Sequence, residues 1–207
     1  MRTIDNINDL NKSDFLSVFG NVFEKTESVA LETFELKPFK DFNDIILKML
    51  NIYEAYEKDK ILEILNSHPE LAVAKKLTSE SKSEQASAKL NECSNDEYDR
   101  GKILEILNSH PELAIEKKLT IDSKLEQTSA NLNECSEEEF KEFRKLNIEY
   151  KTKFGFPFII AVKGKNKNEI LVNFRERIQN DLNKEFLEAK NQVKKIASFR
   201  LKDILSF

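Results

Sequence analysis

A chain of 207 residues fits one ordinary domain and can bury a full core without disulfides. Hydrophobic residues at 40% and charged residues at 34% exclude both a disordered and a membranous class, and four glycines with four prolines are few for an all-β protein. The net charge of −4 comes from 33 basic and 37 acidic residues closely interspersed, without a basic stripe, which argues against a nucleic-acid partner.

In chain order, Asn11-Lys12-Ser13-Asp14 caps an amphipathic helix carrying Phe15, Val18, Phe19, Val22 and Phe23 at steps of three and four. The stretch from Met1 to Phe15 is polar and acidic, unlike a secretory signal. Pro38 breaks the chain, and a second helix is expected from about Asp41 to Tyr56, with Phe42, Ile45, Ile46, Met49 and Tyr53 on one stripe. Lys60 to Asn66 reads as a short apolar helix that stops before Ser67-His68-Pro69, since proline disfavours helical geometry in the residue before it.

A tandem repeat starts there. Lys60 to Ala72 and Lys102 to Ala114 are identical at all thirteen positions, at an offset of 42. The match continues through Lys75-Lys76-Leu77-Thr78, Ser81-Lys82, Glu84-Gln85, Ser87-Ala88 and Leu90 to Ser94, so roughly two-thirds of the block is identical. Helical solenoids want about three or more units, and the flanks do not repeat. A duplication of residues 60–101 as 102–143 inside one domain spanning 1–207 is the simpler reading. Thr78 and Ser79 offer caps for a helix through about Leu90, echoed in the second copy.

Glu137 to about Phe154 is expected to be helical. Gly155 to Val162 reads either as a buried strand or as a helix started by Pro157, because periodicity does not settle short apolar runs. Helices from about Asn168 to Asp181 and from Lys184 to Leu205 complete an all-α chain. No apolar run approaches the ~20 residues of a membrane helix. Leu205-Ser206-Phe207 is not a usual peroxisomal tripeptide, so a cytoplasmic location is expected. Cys93 and Cys135, at equivalent repeat positions, form neither CxxC nor zinc spacing and read as ordinary thiols.

Four features can carry chemistry. His68 and His110, the two histidines of the chain, sit at a helix junction before proline and can give or take protons near neutral pH. Ser81, Glu84 and Gln85, echoed by Ser123, Glu126 and Gln127, share a helical face offering a hydroxyl, a carboxylate and a carboxamide. Such a face binds a polar ligand or simply meets solvent. Arg200 falls on the apolar stripe of Val193, Ile196, Ala197 and Ile204, where it must snorkel outward or meet an anion. Phe154-Gly155-Phe156-Pro157-Phe158 reads as core packing at a turn or as an apolar wall with free backbone amides.

The ordered series is Asn11 and Phe15, Lys37-Pro38-Phe39, His-Pro-Glu-Leu-Ala, Ser-x-x-Glu-Gln and Leu146-Asn147 ahead of Tyr150. It continues through Phe154-Gly155-Phe156-Pro157-Phe158-Ile159-Ile160, Gln192 to Ala197 and Arg200-Leu201. Over nearly the whole chain it resembles the 2-oxo-4-hydroxy-4-carboxy-5-ureidoimidazoline (OHCU) decarboxylases of the urate-to-allantoin pathway. The resemblance implies an all-α homodimer that needs no metal or organic cofactor and releases CO2 from an oxidised urate derivative to give S-allantoin. It implies a proton-donor histidine, here His110 or its twin His68. It also implies substrate contacts from Pro111, Ser123, Glu126 and Gln127 or from Pro69, Ser81, Glu84 and Gln85. Phe158, Ile159, Ile160, Ala161, Val162 and Arg200 complete the implied contacts.

The family has the block once. The second copy, which leads directly into the Phe154 segment, is the expected source of the working residues; a hybrid of His68 with Glu126 is the alternative. This chain departs from the family in a shorter link between the two motifs, in Val73 and Ile115 where a glycine is usual, and in lacking an aromatic near Ser28. A non-catalytic helical interaction module that keeps the family's core is the competing functional reading.

Overall fold

The computed structural model describes residues 3–72 and 120–205. The described regular elements are helical. They are α1 (Ile4–Asn8), α2 (Lys12–Phe19), α3 (Ser28–Phe34), α4 (Phe42–Ala55), α5 (Lys58–Ser67), α6 (Ile121–Ser129), a 3-10 turn (Leu132–Glu134), α7 (Glu137–Phe154), α8 (Lys167–Arg177) and α9 (Leu182–Leu205). The first-copy helix expected from Thr78 or Ser79 to Leu90, with Ser81, Glu84 and Gln85, lies outside the described residues, as do His110 and Pro111.

Side-chain caps set most helix starts. Asn11, Asp41 and Thr120 accept from the backbone N–H three residues on, and Thr3, Ser136 and Asn166 form reciprocal capping boxes. The helix capped by Asn11 ends at Phe19, so Val22 and Phe23, expected to continue it, are buried instead in the following turn. That turn includes Lys25 at φ 50°. The sequence reading missed α1 and α3. The latter has no side-chain cap and is fixed by packing on α2 and α4. The helix expected to reach Leu132 stops at Ser129, because Asn131 takes a left-handed conformation.

The long α9 lies against α4, α5 and α7, and is also joined to α4 by Tyr53 Oη donating to the Lys190 carbonyl at 3.1 Å. A cluster of rings, Phe143, Tyr150, Phe154, Phe156, Phe158 and Phe174, fills the space between α7, α8 and residues 155–162. Those residues form neither of the expected elements. Gly155, at φ 79°, ends α7 in a conformation that suits glycine. The described chain from Phe156 to Val162 is buried without a strand or helix assignment. Among the described residues its neighbours are helices, and side chains meet part of its backbone. Among the described residues no helix is long and apolar enough to cross a membrane.

The structure builds α5 from the first repeat copy and α6 from the second. Deleting residues 73–114, one 42-residue period, leaves residues 115–119 to join Ala72 to Thr120. Such a link spans up to about 20 Å when extended. The shortened chain is expected to keep its helical circular-dichroism spectrum and a single cooperative thermal transition; loss of cooperative unfolding would show that the excised period is required.

Candidate active site

The site starts at the end of α5. Pro69 forces His68 out of the helix, at φ −73° and ψ 140°, and the imidazole folds back so that Nδ1 lies 2.9 Å from the Ile64 carbonyl. A carbonyl only accepts, so Nδ1 carries the proton and Nε2 is the nitrogen left for exchange. The loop beyond is braced from two sides. Asn147 Nδ2 of α7 donates to the Leu71 carbonyl at 2.9 Å. The Gln127 carboxamide of α6 donates to the Glu70 carbonyl and accepts from the Ala72 N–H, both at 3.1 Å.

Helix α6 docks by its polar face. Ser123 is its buried residue, whereas Ile121 and Leu125 are exposed. Asn21 Nδ2 donates to Asp122 at 2.7 Å, and Ser123 Oγ donates to Glu24 Oε2 at 2.8 Å. Arg200 of α9 grips the rest. Its Nε and Nη2 donate to the two oxygens of Glu126 at 2.7 and 2.9 Å. Nη1 donates to Glu24 Oε2 at 3.0 Å and to the Asn21 carbonyl at 3.1 Å, and Nη2 also reaches Ser123 Oγ at 3.3 Å. The guanidinium is 6% exposed, so the arginine on the apolar stripe meets its anions inside the protein rather than snorkelling. With its donors directed to protein acceptors, Arg200 orients Glu126 and Ser123.

Glu24 is the site residue that the sequence reading missed. It lies in the irregular turn after α2, where no helical or strand period marks it; its one signal was a carboxylate flanked by Val22, Phe23 and a turn. It is fully buried, and its Oε1 has no hydrogen-bond partner. Burial pushes its carboxyl upward, but the nearby Thr120 hydroxyl, Arg200 and the Ser123 hydroxyl outweigh that and hold it below the ordinary 4.5. Burial likewise works against the charge of Arg200, and Glu126 and Glu24 more than restore it.

His68, Pro69, Leu71, Ser123, Glu126, Gln127, Phe158, Ile159, Ile160, Val162, Ile196 and Arg200 line one cleft. Most of the expected site residues that lie within the described chain therefore converge there, and they come from both copies. The histidine among the described residues of the cleft is His68 of the first copy and the Ser-Glu-Gln face is that of the second, as in the hybrid alternative, while His110 lies outside the described residues. Ala161 does not line the cleft; its N–H donates to Gln192 Oε1 at 2.9 Å.

A family model described as OHCU decarboxylase matches residues 8–102 and 96–202. The chain belongs to the OHCU decarboxylase family. The two stretches of the match each take in one copy of the block. The uric acid degradation bifunctional protein of Bacillus sp. (strain TB-90) is 32% identical over 99% of this chain, which spans 32% of that protein. The 2-oxo-4-hydroxy-4-carboxy-5-ureidoimidazoline decarboxylase of Halalkalicoccus jeotgali is 29% identical over 98% of this chain and 91% of its own length. This chain thus spans about a third of the length of the Bacillus relatives it matches. In fold, it is similar to a crystal structure of OHCU decarboxylase in the presence of (S)-allantoin, with a TM-score of 0.59 at 19% identity over 95% of this chain and all of that one. A crystal structure of (S)-allantoin synthase gives a TM-score of 0.62 at 20% identity over 99% of this chain and 54% of the other. These likenesses establish the all-α fold of the family.

Burial pushes the His68 imidazole down to about 4, helped by Arg200 and opposed by the Ile64 carbonyl and by Glu24. The unfolded chain therefore binds the proton more readily, and stability is lost as pH falls from 6.5 to about 4. His68→Gln is expected to flatten the dependence of unfolding free energy on pH in that window by up to about 1.4 kcal/mol per pH unit. Urea titrations at a series of pH values measure it; an unchanged slope would show that His68 is not buried neutral. Glu24→Gln removes the charge that Arg200 and Ser123 share, and is expected to cost about 2–3 kcal/mol in urea unfolding at pH 7.

Proposed function

We propose that the chain decarboxylates 2-oxo-4-hydroxy-4-carboxy-5-ureidoimidazoline to (S)-allantoin without a cofactor, with His68 as the proton donor. The observation that carries this reading is the convergence of His68, Ser123, Glu126, Arg200 and the wall of Phe158, Ile159, Ile160 and Val162 on one cleft. Family membership and the relatives' names support the same chemistry.

In the reaction the C–C bond to the carboxylate breaks, CO2 leaves, and the bonding electron pair stays on the electron-withdrawing ring. One proton then completes the product. The site must orient the carboxylate, stabilise the developing charge and protonate one face. His68 Nε2 suits the last step. It is neutral in the structure at pH 7, and an arriving anionic substrate favours its protonated form, in the same direction as Glu24. Glu126, held by Arg200 on one side, faces the cleft with 30% of its side chain exposed. Among the described residues, the backbone N–H groups of Phe158, Ile159, Ile160 and Val162 find no acceptor, although these residues are buried. They are natural donors to the ring carbonyls of a cyclic ureide.

The test is to generate the substrate freshly by urate oxidation and hydrolysis, and to follow the appearance of optically active allantoin. The folded chain is expected to accelerate it. His68→Asn should lower kcat by about a hundredfold or more, while His110→Asn should leave it essentially unchanged. No acceleration over spontaneous decay by folded protein would instead favour the non-catalytic interaction module.

A further inference from the structure

Behind the cleft wall lies a second buried ion pair that the proposed chemistry does not use. Arg177 of α8 is 7% exposed and Glu185 of α9 fully buried. Arg177 Nε and Nη2 donate to Glu185 Oε1 at 3.0 and 2.5 Å. The same carboxylate accepts from the Tyr150 hydroxyl, and its Oε2 accepts from Asn180 Nδ2 at 2.7 Å. The remaining arm of the guanidinium, Nη1, donates to the Ile159 carbonyl at 2.7 Å. Its plane carbon lies 4.5 Å from the centroid of the Phe158 ring, which is stacked on Phe174 at 3.8 Å. Two residues further along the wall, Gln192 Oε1 accepts from the Ala161 N–H at 2.9 Å, and Gln192 Nε2 is tied to Glu188 at 2.7 Å.

Residues 157–162 have no strand ladder and no helix to set their conformation. A chain segment without such bonds is fixed only by what holds its peptide groups. Here side chains hold the Ile159 carbonyl and the Ala161 N–H from behind, and the Lys165 N–H holds the Val162 carbonyl at 2.9 Å, while Phe158, Ile159, Ile160 and Val162 line the cleft. Burying a charge pair among aromatic rings is a poor route to stability, since apolar residues of similar size do as well or better. What the pair does supply is a fixed direction for the Ile159 peptide.

We propose that Arg177 and Gln192 are positioning residues that fix the backbone of the ligand-binding wall, and so determine the affinity for a cyclic ureide without touching it. This rests on the function proposed above. It also explains why Ala161, expected among the substrate contacts, is absent from the cleft: its N–H is committed to Gln192.

The test uses the full chain and three variants, read by melting temperature, by KM and kcat for allantoin formation, and by calorimetric affinity for (S)-allantoin. Gln192→Leu, at a half-buried helix position, is expected to fold and to weaken both KM and allantoin affinity about tenfold, the worth of one net hydrogen bond at the wall, with kcat within about threefold. Gln192→Glu combined with Glu188→Gln exchanges donor and acceptor in the tie between these two residues, keeps an acceptor for the Ala161 N–H and is expected to restore near wild-type affinity, which a purely structural role of the side chain does not require. Arg177→Lys cannot span both Glu185 and the Ile159 carbonyl and is expected to weaken binding further; if it does not fold, the two Gln192 variants decide. Wild-type KM and allantoin affinity in folded Gln192→Leu would overturn the positioning role while leaving the decarboxylase reading intact. A wild-type chain that neither forms nor binds allantoin would overturn both.

Discussion

The guanidinium of Arg200 holds together three parts of the chain that lie far apart in sequence: the turn after α2, helix α6 and helix α9. The rest of the site depends on this contact because α6 has little apolar surface to bury. Its inward face is Asp122, Ser123, Glu126 and Gln127, and its large apolar residues, Ile121 and Leu125, point out. A helix of nine residues with so little hydrophobic contact is held in place by directed polar bonds. Those bonds are strong because they are charged and dry: Glu24 and Arg200 are buried, and Arg200 meets Glu126 with two parallel N–H donors. The same low polarity keeps His68 neutral, so one desolvated pocket sets both the position of the helix and the charge state of the imidazole.

The hybrid composition of the site follows from which contacts are local. His68 belongs with α5, whose Ile61, Ile64 and Leu65 are buried and which follows α4 after a short turn. The Ser-Glu-Gln helix belongs with α7, from which the 3-10 turn and the Ser136 cap separate it by a few residues. Each copy thus keeps the neighbour it is covalently attached to. The one link between them that matters to the cleft, Gln127 to the backbone of Glu70 and Ala72, is made through space.

Much of this was legible in the residues. The caps at Asn11 and Asp41, the apolar stripe of α4, the stop before His68-Pro69 and the misplaced Arg200 each follow from local rules of spacing and sterics. Three things were not. Helix α3 lacks a cap and exists because α2 and α4 pack on it. Residues 155–162 carry an apolar run that suits strand or helix equally, and among the described residues no strand lies beside them to pair with. Glu24 sits in an aperiodic turn, where a glutamate gives no sign that it will be buried 176 positions from its arginine.

The sequence by itself determined the helical class, the duplicated block and the set of side chains able to do the chemistry, because these depend on composition, period and residue type. Only the tertiary structure brought His68 of the first copy into one cleft with Ser123, Glu126 and Gln127 of the second. The two copies are identical wherever the site residues lie, so no local preference separates His68 from His110 or Glu84 from Glu126. The described arrangement is held by long-range bonds from Arg200, Glu24 and Asn147, together with the ends to which each copy is joined.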